Sequence, residues 1–482
     1  MSKKTGANSS PELLVELDRS STRPLRAQLE DYLREAIRCG RLAAHSRLPA
    51  SRALAGDLGI SRRLVVDAYS QLLAEGYLIA RRGGGTYVAD GAVSPAAPAQ
   101  ESAQRVLSFD FFPGYPDLAG FPRAAWLKVL RETLREMPDR AFGYPDPRGA
   151  SALRRALAGH LRRVRGVAAD PEAIVVCSGV AQGFALLAHV LRGAGMAVED
   201  PGLPQHREIL RAHGASLVAL PVDDDGARVQ DLEILADSDG PPGSVLVTPA
   251  HQSPTGVALS SARRAALLAW AGSTGGVVIE DDYDAEYRYD RAPLGALQGL
   301  APDRVIYMGT VSKTLAPALR LGWLVLPSHL VSRVVERKTL ADHGSPTIDQ
   351  MALARLMDSG AYDRHLRQAR RRYRSRRDAL VRAVAEHLPG ARVTGVAAGL
   401  HAIVRLASPV DGLELMQAAG RRSVGVYPLG YSYMHPKPID DGLVLGYANL
   451  AEPAIEEGIR RLALALEESL PRPTNDGGAM SR

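Results

Sequence analysis

Apolar positions in the first ninety residues recur at helical spacing and then stop. Leu25, Leu29, Leu33 and Ile37 fall four apart, Leu42 follows, and Gly40 closes the pattern, which predicts one amphipathic helix. In LPASRALAGDLGISRRLVVDAYSQLLAEGYL, Ser51 is placed to cap a short helix through Leu58. Gly59 supplies a tight turn, and Ser61 caps a second helix through about Ala74. YLIARRGGGTYVA then reads as two short strands joined by Arg81-Arg82-Gly83-Gly84-Gly85, a basic hairpin. Two short helices joined by a Gly-containing turn are the helix-turn-helix plan, whose second helix enters the DNA major groove.

The pattern changes at GAVSPAAPAQESAQ, where Ala, Pro, Ser and Gln replace any apolar period and a flexible linker is expected. Beyond it, short apolar runs (AIVVCSG, MAVEDPG, SVLVTPA, GVVIEDD, VIYMGT) each end in Gly, Asp, Ser or Thr and lead into a helical segment. That alternation predicts an α/β domain with a largely parallel sheet, its polar residues gathered at the strand ends where such sheets place ligands. The expected division is a winged helix-turn-helix DNA-binding domain over 12–90 and a linker over 91–106. A cofactor-binding effector domain follows over 107–472, and a disordered tail over 473–482.

Composition adds location and charge. At 482 residues and 46% apolar, the chain suits two or three globular domains. It has no apolar run long enough for a bilayer, and its start lacks the apolar core of a signal peptide. Cys39 and Cys177 build no disulfide framework, so a soluble cytoplasmic protein is expected, with no metal. The net charge is +6, and residues 1–90 hold 14 Lys+Arg against 10 Asp+Glu. Two-thirds of the excess therefore lies in under a fifth of the chain, which points to a polyanionic partner there.

Residues 24–89 resemble the winged-helix domain of GntR-type bacterial transcription regulators, on the evidence of LPASRALAGDLGISR, AYSQLLAEGYL and the Gly-rich wing. The resemblance implies a double-stranded promoter as partner. Arg52, Ser61, Arg62 and Arg63 would face DNA from helix N-termini, Arg81, Arg82, Gly84 and Gly85 from the wing, and Arg47 would contact a phosphate. Many relatives carry smaller polar residues at 62 and 63, so base preference does not carry over. The bland alternative is a solvated arginine face.

In the larger region the strand ends carry the chemistry. Ser178-Gly179-Val180-Ala181-Gln182-Gly183 follows a strand and opens a helix, the geometry that holds an anion with backbone N–H groups. His251-Gln252-Ser253-Pro254-Thr255-Gly256, Glu280-Asp281-Asp282-Tyr283 and Thr310-Val311-Ser312-Lys313 follow three more strands, and Arg320 lies seven residues past Lys313. Only six of the 59 basic residues are lysines, so a lysine at 313 argues that an amine is required. A phosphate cradle, an acid, a phenol, a lysine and an arginine suit pyridoxal 5′-phosphate. That cofactor needs a Schiff-base amine, an acid against its ring nitrogen, a donor to its 3′ oxygen and cationic support for its phosphate.

From FDFFPGYPDLAGFP through FGYPDPRGASALRRALAGHL to LVLGYANLAEPAIEEGIRRLA the chain resembles fold type I aminotransferases. The resemblance implies Lys313 as the Schiff-base lysine, Asp281 at the pyridine nitrogen and Tyr283 at the 3′ oxygen, with Ser253 also among the cofactor-binding residues. It places Arg320, Thr310, Ser312 and the backbone of Gly179, Val180 and Ala181 at the phosphate. Tyr144 would reach the phosphate of a neighbouring subunit, which implies a dimer with shared sites. Each residue has a bland reading: a loop carboxylate, a core phenol, a turn glycine, a surface charge.

A winged helix joined to such a domain resembles the MocR family of GntR-type regulators. The resemblance implies a head-to-tail, domain-swapped homodimer that senses pyridoxal 5′-phosphate or its aldimine with an amine or amino acid and controls vitamin B6 or amino-acid metabolism. Three positions depart from the aminotransferase pattern. Val444 stands where an α-carboxylate-gripping Arg is usual, Leu203 where an aromatic covers the cofactor ring, and Ser253 where Asn is common. All three touch substrate grip or ring electronics, so sensing of the cofactor itself, as in the PdxR-like branch, is favoured over sensing of an amine. The alternative is an active aminotransferase with a vestigial DNA-binding domain. YDRHLRQARRRYRSRRDALVRA reads as one charged helix with Leu366, Tyr373, Leu380 and Val381 turned inwards, or as a second DNA-facing surface. His435 and Lys437 are expected near the mouth of the site, without an assigned role.

Overall fold

The computed structural model describes residues 15, 17–81, 84–90, 107–235, 241–284, 286–289 and 294–469. Arg82, the linker 91–106 and the tail 473–482 lie outside the described residues. The chain divides into two compact units, Met1–Arg105 and Val106–Arg482.

In the first unit, helix Leu25–Arg38 is followed by Gly40 in the left-handed region. Helices Ser51–Leu58 and Arg62–Ala74 are joined through Gly59, also left-handed at φ 61°. Ser61 caps the second of these by accepting from Leu64 N at 3.3 Å. Ser51 is not a cap: it is the first helical residue, Ala50 holds the cap position, and no side chain accepts there. Strands Leu78–Arg81 and Gly85–Val88 pair antiparallel with Arg81 opposite Gly85. Leu29, Leu33, Ile37, Leu54, Val65, Leu72, Leu78 and Val88 form one buried cluster, so the helical spacing of the sequence is the packing surface of this unit. Arg34 grips both oxygens of Glu75 at 2.7 Å, tying the first helix to the residue that ends the third.

The second unit is built on an eight-stranded sheet. In spatial order its strands are Ile174–Cys177, Gly322–Val325, Val305–Thr310, Val277–Asp281, Ser244–Val247, Met196–Asp200, Leu217–Asp223 and Gly226–Ala227. The run from Val305–Thr310 to Leu217–Asp223 is parallel. Its inner strands are buried on both faces, which is why they read as continuous apolar runs rather than alternations. The sheet as a whole is mixed. Gly322–Val325 runs antiparallel to both its neighbours, because the chain returns after the Lys313 loop with Gly322 opposite Thr310.

A three-stranded antiparallel sheet, Arg392–Thr394, His401–Asp411 and Ile439–Gly446, accompanies the long helix Ala361–His387 and the helix Glu452–Ser469. Leu366, Tyr373 and Leu380 of the long helix are buried as expected, whereas Val381 is 36% exposed: one residue past Leu380, it is rotated off the inner stripe. Most arginines of this helix serve the fold. Arg370 Nε donates to Glu286 O at 3.0 Å, Arg372 Nε to Asp117 at 3.1 Å and Arg377 to Val396 O at 3.0 Å. That leaves Arg364, Arg367, Arg371 and Arg382 on the exposed face. No helix among the described residues is long and apolar enough to cross a membrane.

Candidate functional site

The first unit presents its basic residues on one set of short elements. Arg52, Arg62 and Arg63 stand in the first turn of the second and third helices, all exposed, and Arg63 lies only loosely near Asp67 at 3.9 Å. On the hairpin, the Arg81 guanidinium sits over the Tyr87 ring, 4.8 Å from its centroid. Gly85 holds φ 104°, and a Cβ there would come within 3.1 Å of Arg47 Nε, so the glycine lets Arg47 lie across the wing. Arg47, Arg52, Arg62, Arg63 and Arg81 thus remain cationic surface with few internal acceptors.

The second unit gathers the predicted strand ends at one edge of its sheet. Asp281 ends strand Val277–Asp281 and is 2% exposed. Neither of its carboxylate oxygens has a hydrogen-bond partner among the described residues. Burial, with the charge of Asp282, pushes its pKa up to about 7. His206 Nδ1 is 3.7 Å away, too far for a hydrogen bond, and burial holds that imidazole neutral by drawing its pKa down to about 3. The apparent ion pair is therefore a neutral histidine beside an orphaned carboxyl.

Lys313 follows strand Val305–Thr310. Burial lowers its pKa, against the opposing pull of Asp284 and Asp281. A Cβ on Gly114 would come 3.0 Å from its amine, so the glycine keeps the approach open. Tyr283 is buried, with its hydroxyl 3.1 Å from His251 O and 3.3 Å from His251 Nδ1. Leu203, His206, Ser253, Thr248, Glu199 and Asp281 line one cavity. His206 packs tilted against Phe184, ring centroids 4.5 Å apart, so an aromatic ring does flank this cavity, supplied three residues beyond Leu203.

The anion cradle forms at the start of helix Val180–Val190. Gly179, at φ 80°, takes its cap position, and Val180 and Ala181 open the helix. A Cβ on Gly179 would lie 2.7 Å from Arg320 Nη2, and one on Gly322 would lie 3.2 Å from Gly179 Cα. Arg320 donates to Ser178 O at 3.1 Å, placing its guanidinium over the turn. Thr310 Oγ1 accepts from Ser312 N and lies 3.0 Å from Ser312 Oγ. Tyr144 is 96% exposed and its ring is 6.5 Å from that of His343; it makes no part of this cavity within the chain.

Several residues escaped the sequence reading. Lys338 is fully buried and donates to Asp342 at 2.6 Å, Ser345 at 2.9 Å and Gln182 at 3.2 Å, while Gln182 accepts from Ser178 N at 2.8 Å. It therefore braces the cradle from behind. Arg207 is buried, with three N–H donors engaged by the carbonyls of Gly202, Ser432 and Tyr433. His251, Asp284 and His401 form a buried cluster next to Tyr283. Only the HQSPTG motif signalled any of these, and it drew attention to Ser253 alone. Val444 is buried opposite Ile403 and packs with it and Leu429.

Residues 114–462 match the family Aminotransferase class I and II, and residues 25–88 match the bacterial regulatory proteins of the gntR family. This defines the class: a winged-helix DNA-binding domain carried on an aminotransferase domain. The probable rhizopine catabolism regulatory protein MocR of Rhizobium meliloti is 34% identical, covering 97% of this chain and 100% of its own. The HTH-type pyridoxine biosynthesis transcriptional regulator PdxR of Corynebacterium glutamicum is 33% identical over 91% and 95%. The crystal structure of Pyrococcus horikoshii kynurenine aminotransferase, in complex with PMP, matches with a TM-score of 0.70 and 28% identity, covering 77% of this chain and 93% of that one. The chain belongs to the MocR-type HTH regulators.

Pyridoxal 5′-phosphate is the cofactor of this class, and the residues present fit it. The orphaned Asp281 carboxyl wants a cationic ring nitrogen, and the side-chain-free Gly179 turn under Arg320 leaves room for a phosphate.

Proposed function

We propose that this DNA-binding regulator senses pyridoxal 5′-phosphate itself through the Lys313 site and thereby controls vitamin B6 or amino-acid metabolism. The cofactor supplies an aldehyde that condenses with a primary amine. Around it, this chain's residues have separable tasks: Lys313 offers an amine whose pKa burial lowers, Asp281 faces the ring nitrogen, and Tyr283 and Ser253 face the 3′ oxygen. Arg320, Thr310, Ser312 and the Gly179–Ala181 backbone take the phosphate, and Tyr144 reaches out to a partner copy in a head-to-tail homodimer.

The observation that carries the choice of effector is Val444, together with Arg207. A valine cannot clasp a carboxylate, and the nearby buried guanidinium already serves three backbone carbonyls. Cofactor anchors are gathered while a free clasp for an α-carboxylate is missing among the described residues of the cavity. The relative named for pyridoxine biosynthesis control agrees with this direction.

The test is binding to the protein's own upstream DNA at fixed salt, with and without pyridoxal 5′-phosphate and with no amino acid present. The cofactor alone is expected to change affinity or footprint. Equal binding in both cases would remove the cofactor as signal, and robust turnover of common amino acids would favour the enzyme reading.

The DNA face has its own signature. Arg63→Ala is expected to weaken binding uniformly across sequences and to make the slope of log K against log[salt] shallower by about one, as for one lost phosphate contact. An unchanged slope across a salt titration would put Arg63 off the backbone.

A further inference from the structure

The cluster of His251, Asp284 and His401 is buried beside the cofactor cavity and has no part in the roles above. His251 Nδ1 lies 2.9 Å from Asp284 Oδ2 and 3.3 Å from the Tyr283 hydroxyl. The His401 ring is 5.2 Å from that of His251, and its Nε2 is engaged with Pro254 O at 3.1 Å. The arrangement is built into the fold through Gly399, which holds φ 81° and whose missing Cβ would stand 2.5 Å from Asp284 Oδ2 and against the His251 ring.

We propose that Asp284 and His251 are a positioning pair that turns the Tyr283 phenol into a one-way hydrogen-bond donor towards the cofactor's 3′ oxygen. This rests on the reading that the cofactor lies between Asp281 and Lys313. With Asp284 accepting at Nδ1, that nitrogen carries the proton, and the same N–H faces the Tyr283 oxygen. The phenol oxygen is thereby occupied as an acceptor, and its own proton is directed elsewhere. Without a ligand it goes to His251 O at 3.1 Å. With the cofactor bound, the 3′ oxygen is the acceptor in the cavity. Tyr283 is itself held neutral, by burial first and then by Asp284, so it keeps that proton to donate. No proton changes owner; the pair fixes a direction.

A donor that cannot reverse stabilises the ionised 3′ oxygen and so lowers the pH at which the bound cofactor's visible absorbance changes. The charged groups facing the phenol are Asp284, Asp281 and Glu199; those facing His251 are Asp284 and Arg288; and Lys313 faces His401. All of them stay in place in the variants below.

The experiment is a pH titration of the absorbance of the cofactor-loaded full-length dimer. His251→Leu is expected to raise the midpoint by about one pH unit, the scale on which a lost hydrogen bond to a charged form acts. Tyr283→Phe should raise it similarly, and the double variant should move little further than either single one. His251→Asn, whose amide nitrogen falls near the Nδ1 position, should restore a midpoint close to wild type. Loss of packing alone would not distinguish Leu from Asn in this way. If His251→Leu fails to fold, His251→Val, which likewise removes the Nδ1 donor and leaves every charge in place, carries the same expectation of an upward move. A midpoint in His251→Leu, or in its substitute, within 0.2 of wild type by the resolution of about 0.3 kcal/mol that one pH unit per 1.36 kcal/mol implies, overturns the pair. Borohydride fixation and peptide mapping on the same samples separates this from failure of the site reading. Cofactor fixed at Lys313 with an unmoved midpoint sinks the pair alone, whereas cofactor fixed elsewhere sinks the site.

Discussion

Lys313→Ala is expected to abolish covalent cofactor capture while leaving both units folded and DNA binding at fixed salt intact. The other described lysines offer no substitute. Lys338 is fully enclosed, with its ammonium on Asp342, Ser345 and Gln182. Lys128 is largely exposed on a helix near Glu132, and Lys437 sits over the Tyr433 ring. Lys313 alone combines burial that favours the neutral amine with a side-chain-free neighbour, Gly114, whose missing Cβ would stand 3.0 Å from the amine. Borohydride reduction followed by mass mapping is expected to find the adduct on Lys313 in the wild type and none in the variant. Non-covalent affinity should fall by more than about tenfold, 1.4 kcal/mol, because one anchor is gone while the phosphate cradle persists. An adduct that survives in the variant would move the site to another amine. Lys338→Met separates the two lysines: capture at Lys313 should continue with weaker phosphate retention, since only the brace behind the Ser178–Gly179 turn is lost.

The parts that the sequence made legible are those whose causes are local. The Ser61 cap, the Gly59 turn and the apolar stripe from Leu29 to Ile37 each depend on residues within one or two turns, and the winged-helix unit follows from them. The central strands announced themselves because burial on both faces leaves no polar alternation. What stayed hidden depends on distant partners. The direction of Gly322–Val325 is set by the loop that carries Lys313 back along the sheet, so a run of apolar residues could not give it. Ser51 and Val381 were each misplaced by one position, enough to turn a cap into a first helical residue and a core residue outwards. That Lys313 is not a solvated surface charge was legible through rarity, since an arginine would have served any solvated position. Lys338, equally rare, was not, because its partner Gln182 lies 156 residues away. His251 and Asp284 become a pair only when strands ending at residues 247 and 281 lie side by side. The arginines of Ala361–His387 read as one charged helix face or a second DNA-facing surface, and the carbonyl and carboxylate acceptors that engage Arg370, Arg372 and Arg377 come from segments distant in sequence.

Asp281→Asn should stabilise the cofactor-free protein and destabilise the loaded one, relative to wild type. The carboxyl is buried with neither oxygen bonded among the described residues, and the neutral His206 at 3.7 Å does not compensate a charge. Its pKa is raised from 3.8 to about 7, chiefly by burial. Below pH 4 the folded and unfolded chains both hold the proton, and the group costs nothing. Between about pH 4 and 7 the unfolded chain ionises while the folded one does not, so stability falls as pH rises. Above pH 7 both are ionised and the cost levels off, on the order of 4 kcal/mol at 1.36 kcal/mol per pH unit. The amide has no such proton linkage. Without cofactor, the melting temperature of Asp281→Asn minus that of wild type is therefore expected to be near zero at pH 4 and to grow to its maximum by pH 7, by several degrees. Adding pyridoxal 5′-phosphate should reverse the order at pH 7, because a carboxylate stabilises a protonated ring nitrogen and an amide does not, and ligand stabilisation scales as the logarithm of affinity. A crossing of the two curves with cofactor is what a buried charge reserved for a ligand produces. An Asn variant less stable than wild type without cofactor at pH 7 would mean that Asp281 already has a structural partner, and the ring-nitrogen role would fall with it.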